Sequence, residues 1–125
     1  MGHSDRLVIA DGNFPVMSMG KSAQIIRMDG HGVPEILDAI LRVFPLDTYI
    51  EKPVNLMEVM RGDDVQTPIW DVYKKTVEKY DERGKNAIGE IERFKFYEET
   101  KTAYAVIATS EKALYANIML QKGVV

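Results

Sequence analysis

His3, Asp11, Tyr115 and Asn117 are the side chains of this 125-residue chain whose types and positions invite chemistry. An imidazole titrates near neutrality, so it can both give and take a proton, and a neighbouring carboxylate such as Asp11 can fix its tautomer and ring orientation. His3 stands just before the apolar run Arg6-Leu7-Val8-Ile9-Ala10, Asp11 closes it, and Tyr115-Ala116-Asn117 opens a later one. Ligand sites in α/β sheets collect outside the carboxyl ends of strands, which is where Asp11 falls. The chemistry implied is proton transfer at a polar ligand. Other chemistries fit less well. Cysteine is absent, which excludes disulfides, thiolate nucleophiles and Cys-based metal sites. Neither His3 with Asp5 nor Asp29 with His31 has a diagnostic metal-ligand spacing, so no metal is expected. Gly20-Lys21-Ser22 imitates the end of a phosphate-binding loop, but the position of that motif's first glycine holds Pro15.

The elements that must position these residues follow from apolar spacing. Arg6 to Ala10 reads as a strand buried on both faces and stopped by Asp11-Gly12-Asn13. Phe14 to Ser22 has no period and is expected as an ordered loop, with a second strand at Ala23 to Arg27. Pro34 suits a first helical position, and Ile36, Leu37, Ile40, Leu41 and Phe44 recur at helical intervals up to Pro45. Asp47 to Met60 reads as one or two strands, the second at Val54 to Val59. Ile69, Val72, Tyr73, Val77 and Tyr80 predict a second helix from Pro68 to near Gly84. Trp70 falls on that pattern and is expected in a core or interface. Ile91 to Thr100 suits a short helix, Ala103 to Thr109 a strand, and Ala116 to Leu120 the last strand. Strands thus alternate with helices, which predicts an α/β class with layers and a mostly parallel sheet flanked by helices.

Length and composition agree with one domain spanning 1–125. The chain is 46% hydrophobic and 28% charged, enough to bury a core and stay dissolved. A formal net charge of -3 without any long block of like charge argues against nucleic acid and anionic membrane as partners. No apolar run approaches the roughly 20 residues that span a bilayer, so a cytoplasmic protein is expected.

Four spaced motifs extend the reading. They are Met1-Gly2-His3-Ser4-Asp5, Ile9-Ala10-Asp11-Gly12-Asn13-Phe14-Pro15, Arg93-Phe94-Lys95-Phe96-Tyr97-Glu98, and Leu114-Tyr115-Ala116-Asn117 running on to Val124. Together they resemble the ribose pyranase and fucose mutarotase family, and Arg93 with the stretch Phe14 to Gly20 favours its fucose branch. The resemblance implies a ring-forming subunit, commonly a homo-oligomer of ten in two stacked pentamers, with the sugar site at a subunit interface. It implies an isomerase of carbohydrate metabolism that interconverts the α and β anomers of L-fucose through the open aldehyde, without metal or other cofactor. Carried over, His3 is the catalytic proton donor, Asp11 binds the sugar and orients His3, Arg93 is a sugar-binding cation, and Tyr115 and Asn117 contact sugar hydroxyls. Arg27 and His31 are read as structural. The alternatives are a D-ribose pyranase and a non-catalytic protein that binds a monosaccharide. Family members carry a helical segment before Met-Gly-His. Either the start at Met1 is misplaced or cut, or that helix is missing, and a fraying terminus there is expected to loosen His3.

Overall fold

The computed structural model describes residues 1–20 and 22–125; Lys21, in the Gly20-Lys21-Ser22 sequence, lies outside them. Arg6–Ala10 forms β1, whose alternate side chains serve two different cores, as the two-residue period of a strand requires. Leu7 and Ile9 enter the larger core, whereas Val8 and Ala10 enter the smaller one. That division explains why the run shows no polar alternation: both faces are covered.

The remaining strands are β2 (Gln24–Met28), β3 (Val54–Met57), β4 (Ile88–Ile91), β5 (Ala105–Thr109) and β6 (Ile118–Gln121). They form one six-stranded sheet in the order β2-β5-β1-β6-β3-β4. β1 pairs parallel with β5, β5 with β2, and β3 with β4. β6 runs antiparallel between β1 and β3, so the sheet is mixed, with all the other strands pointing one way.

Helices cover both faces. α2 (Val33–Leu41) and α3 (Pro68–Tyr80) press Val33, Ile36, Leu37, Leu41, Ile69, Tyr73 and Val77 into the larger core. The smaller core lies under α1 (Val16–Met19) and α4 (Arg93–Thr100), with Phe14 and Phe96 meeting edge to face at a centroid separation of 6.0 Å. Among the described residues no helix is long and apolar enough to cross a membrane.

Several boundaries differ from the sequence reading. Phe14 to Ser22, expected as loop, holds the single turn α1, because Met19 and Gly20 donate their N–H groups back to Pro15 and Val16. The region 47–60, read as one or two strands, contains one, which ends at Met57 rather than Val59; its first half is a turn built on Asp47. β4 precedes α4 where a helix was expected from Ile91. The last two strands begin two residues later than read, at Ala105 and Ile118.

Candidate functional site

Three strand ends and one helix end converge at one rim of the sheet. β1 delivers Asp11 and β3 delivers Met57 at their carboxyl ends. α4 presents Arg93 and Tyr97 from its first turns. The antiparallel β6 enters from the same side, which brings Tyr115 and Asn117 beside Asp11. Together with Asn13, Phe14, Asp63, Val65 and Leu114 they line an open pocket of about 280 Å³. Small-molecule sites usually run from roughly 300 to 1,000 Å³, so this one suits a monosaccharide better than a nucleotide. Its mixture of carboxylate, guanidinium, amide and phenol with apolar walls also suits a ligand with many hydroxyls and a hydrocarbon face.

Each polar group is held by the fold. The Asn117 carboxamide oxygen accepts the Asp11 backbone N–H at 2.7 Å, which turns its amide nitrogen toward the pocket. The Asp11 carboxylate accepts from the N–H groups of Asn13 at 3.0 Å and Ala116 at 3.4 Å. Burial pushes this carboxyl above its ordinary range, the backbone donors at Asn13, Ala116 and Phe14 pull it back, and nearby Glu111 adds to the rise. Arg93 donates from Nε to the Tyr97 hydroxyl at 2.9 Å and from Nη1 to the Met60 sulfur at 2.9 Å, with its guanidinium 5.5 Å from the centre of the Tyr97 ring. Glu92 caps α4 by accepting from the N–H groups of Phe94 and Lys95, which fixes where Arg93 begins.

Tyr115 sits in the left-handed region at φ 53°, a conformation that costs a non-glycine residue of the order of 1–3 kcal/mol. Several contacts hold it there. Its hydroxyl donates to Asp63 at 2.6 Å and accepts from the Met60 N–H at 3.3 Å. The hydrogen bond to the Asp63 carboxylate pushes the phenol up, so it stays protonated. Behind the turn, the Trp70 indole donates to the Tyr115 carbonyl at 2.8 Å and the Tyr73 hydroxyl to the Ala116 carbonyl at 2.7 Å. Glu111 anchors the approach by accepting from Val33 at the start of α2 and from Lys112 and Ala113.

His3 is elsewhere. It lies before β1, at the amino end of the strand whose carboxyl end carries Asp11, and five strand residues rise about 17 Å. The expectation that Asp11 orients His3 is therefore corrected within one subunit: the carboxylate facing His3 is Asp47. Its Oδ1 accepts from His3 Nε2 at 3.3 Å and from the Tyr49 N–H at 2.9 Å, and its Oδ2 accepts from the Gln121 amide at 2.9 Å. Burial pushes the Asp47 carboxyl up, but the Tyr49, Gln121 and His3 donors outweigh it and hold the group below its ordinary range. The Tyr49 ring meets the imidazole edge to face at 5.2 Å. The turn bearing His3 is tied to the sheet, because Ser4 donates its N–H to Lys122 and Gly2 donates its own to the Asp5 carboxylate. His3 is thus anchored despite lying near the first residue. Arg27 and His31 pair with Asp29 and Glu35 at exposed positions away from both clusters.

The pocket brings together Asp11, Arg93, Tyr115 and Asn117, which the sequence had already singled out. It adds Tyr97, Asp63 and Met57, and behind them Trp70 and Tyr73. Asp47 was missed altogether. Tyr97 could have been found from the Arg93-x-x-x-Tyr97 spacing, which puts both on one helical face; nothing local signals Asp47.

Residues 1–125 match the RbsD / FucU transport protein family. The chain belongs to that family. Within the RbsD / FucU family, the Fucose mutarotase of Homo sapiens is 45% identical over 128 residues, covering 99% of this chain and 82% of the human protein. The crystal structure of FucU from Bifidobacterium longum superposes with a TM-score of 0.98 at 65% identity, covering 100% of this chain and 87% of that one. The fucose mutarotase of Streptococcus pneumoniae, solved in complex with L-fucose, superposes with a TM-score of 0.92 at 44% identity, covering 100% and 86%. The family expected from the four sequence motifs is the family found.

Proposed function

We propose that this chain is an L-fucose mutarotase, an isomerase that interconverts the α and β anomers of the free sugar. The observation that carries the reading is the pocket: Asp11, Arg93, Tyr115 and Asn117 converge on one sugar-sized space, in a chain similar over its whole length to fucose mutarotases. Ring opening removes the proton of the anomeric hydroxyl, delivers a proton to the ring oxygen and breaks the C1–O5 bond. C1 then rotates, and the ring closes on the other face. Groups that bind, orient and move protons suffice, and positioned acid-base groups typically supply about 10² to 10⁴ in rate.

Asp11 accepts from sugar hydroxyls, while the Asn117 amide and Arg93 donate to sugar oxygens. Phe14 and Met57 cover the apolar face. His3 is the proton donor. With Nε2–H directed at the Asp47 carboxylate, Nδ1 is the ring atom left to face a substrate; it gives its proton to the sugar from the doubly protonated ring and is left as an acceptor that can take one back. Because His3 and the pocket sit at opposite ends of β1, a complete site takes its histidine from a neighbouring copy. This matches the interface site and the decamer of two pentameric rings that the family resemblance implies. The protein is read as a cytoplasmic homo-oligomer, working as one domain over 1–125.

The test is NMR exchange between the α and β anomer signals of L-fucose, with D-ribose in parallel. Acceleration with L-fucose that His3→Ala loses supports the reading. Acceleration confined to ribose selects a pyranase, and binding without acceleration selects a non-catalytic sugar-binding protein. Full activity in a species shown by light scattering to be a monomer overturns the shared site.

A further inference from the structure

The segment that carries Asp47 has no helix or strand of its own from 47 to 52, yet its carboxylate must face His3 in a fixed direction. One side of that segment is tied to the end of β6, through the Asp47 N–H on the Gln121 carbonyl and an isolated bridge between Leu46 and Lys122. The other side is tied to a single side chain more than thirty residues away in sequence. Arg83, just past α3, donates from Nη2 to the Asp47 carbonyl and from Nη1 to the Ile50 carbonyl, each at 3.1 Å. Asp81 holds the guanidinium from behind with a two-point contact, at 3.0 Å to Nε and 2.8 Å to Nη2, and accepts the Arg83 backbone N–H at 2.9 Å. The fork is half-buried, with the Arg83 side chain 27% and the Asp81 side chain 11% exposed. A planar guanidinium can hold two carbonyls and a carboxylate at fixed angles, whereas an ammonium is a point charge and cannot.

We infer that Arg83, braced by Asp81, is a positioning residue for the reaction: it clamps the Asp47–Ile50 turn so that the Asp47 carboxylate and the Tyr49 ring hold His3 in one orientation. The inference rests on the reading of His3 as proton donor. It adds a role for two residues at the far end of α3, which touch neither the sugar pocket nor the imidazole.

Arg83→Met keeps the aliphatic stem and removes every donor. A misplacement of about 1 Å at a reacting group can cost up to about a hundredfold in rate. Arg83→Met is therefore expected to lower kcat for L-fucose exchange at least tenfold, with KM within about twofold because the sugar-holding groups are untouched. The orientation itself is read by NMR. The chain has two histidines, so the His3 ring signals are readily assigned, and their nuclear Overhauser contact to the Tyr49 ring is expected to vanish in the variant. Arg83→Lys restores charge without the fork and is expected to recover thermal stability but neither kcat nor the ring contact; it also decides the matter if Arg83→Met does not fold. Unchanged kcat, or lowered kcat with the ring contact intact, overturns the inference whatever happens to stability. A His3→Ala variant that keeps exchange overturns the proton-donor reading and this inference together. Loss in His3→Ala beside an unaffected Arg83→Met overturns only the clamp.

Discussion

Tyr73→Phe isolates the support of the sugar pocket from its lining. The Tyr73 ring is fully buried in the larger core and its hydroxyl donates to the Ala116 carbonyl at 2.7 Å, between the two pocket residues Tyr115 and Asn117. Burial, with the charges of Glu111 and Asp11, pushes this phenol far up, so it is a protonated donor at every usable pH. Phenylalanine fills the same volume, so no cavity opens. What is lost is one hydrogen bond, and what remains is a carbonyl without its donor. Together these cost about 1–3 kcal/mol. For a chain of this size 1 kcal/mol shifts the melting temperature by about 4 °C, so a fall of roughly 4 to 12 °C is expected. The Ala116 carbonyl also restrains the strained Tyr115 turn, so KM for L-fucose should rise several-fold. Urea and thermal unfolding give the stability, and anomer exchange at graded sugar concentration gives KM. A variant within about 0.5 kcal/mol of wild type, the usual size of a neutral surface change, would refute the claim that Tyr73 holds this turn.

The two buried carboxyls should respond to pH in opposite senses. The Asp11 value is raised in the fold, so its contribution to stability is present below the ordinary carboxyl value of 3.8 and is lost as pH rises through the folded value. Asp11→Asn should therefore be more stable than wild type at pH 7, the gap closing in acid, while exchange is lost; equal or lower stability at pH 7 counts against this. The Asp47 value is lowered, so its contribution is present above 3.8 and is lost as pH falls through the folded value. Asp47→Asn should be less stable at pH 7, converge with wild type in acid, and lose about 10²-fold in exchange. A pH-independent gap would contradict the assignment. Ser4 holds φ 73° beside His3, so Ser4→Gly should add about 0.5 kcal/mol by unfolding titration, the left-handed cost less glycine's extra chain entropy.

Local signals located most of the framework. β1, α2 and α3 were legible because burial on both faces or on one stripe writes itself into the apolar spacing. α1 was not, since a single turn started by Pro15 has no period to display. β4 was hidden by Gly89 and Glu90, which suit an edge strand with one partner only. The pocket residues were legible because Asp11, Tyr115 and Asn117 stand where strands begin or end. Asp47, Arg83 and Asp63 were not, because each acts through a partner that folding alone brings near: His3 lies 44 residues from Asp47, and Tyr115 lies 52 from Asp63.

β6 is four residues long and touches both polar clusters: Asn117 precedes it at the sugar pocket, and Gln121 ends it on the carboxylate facing His3. It works as a ruler between two stations. Deleting one residue from Ile118 to Leu120 would turn its side chains to the wrong cores and shorten the span, so both stations would fail in a single event. A change of side chain in this strand is thus expected to be borne where a change of length is not. The amides of Met119 and Leu120 should exchange with solvent only through global opening, so one slow pair of protons reports on the integrity of both ends.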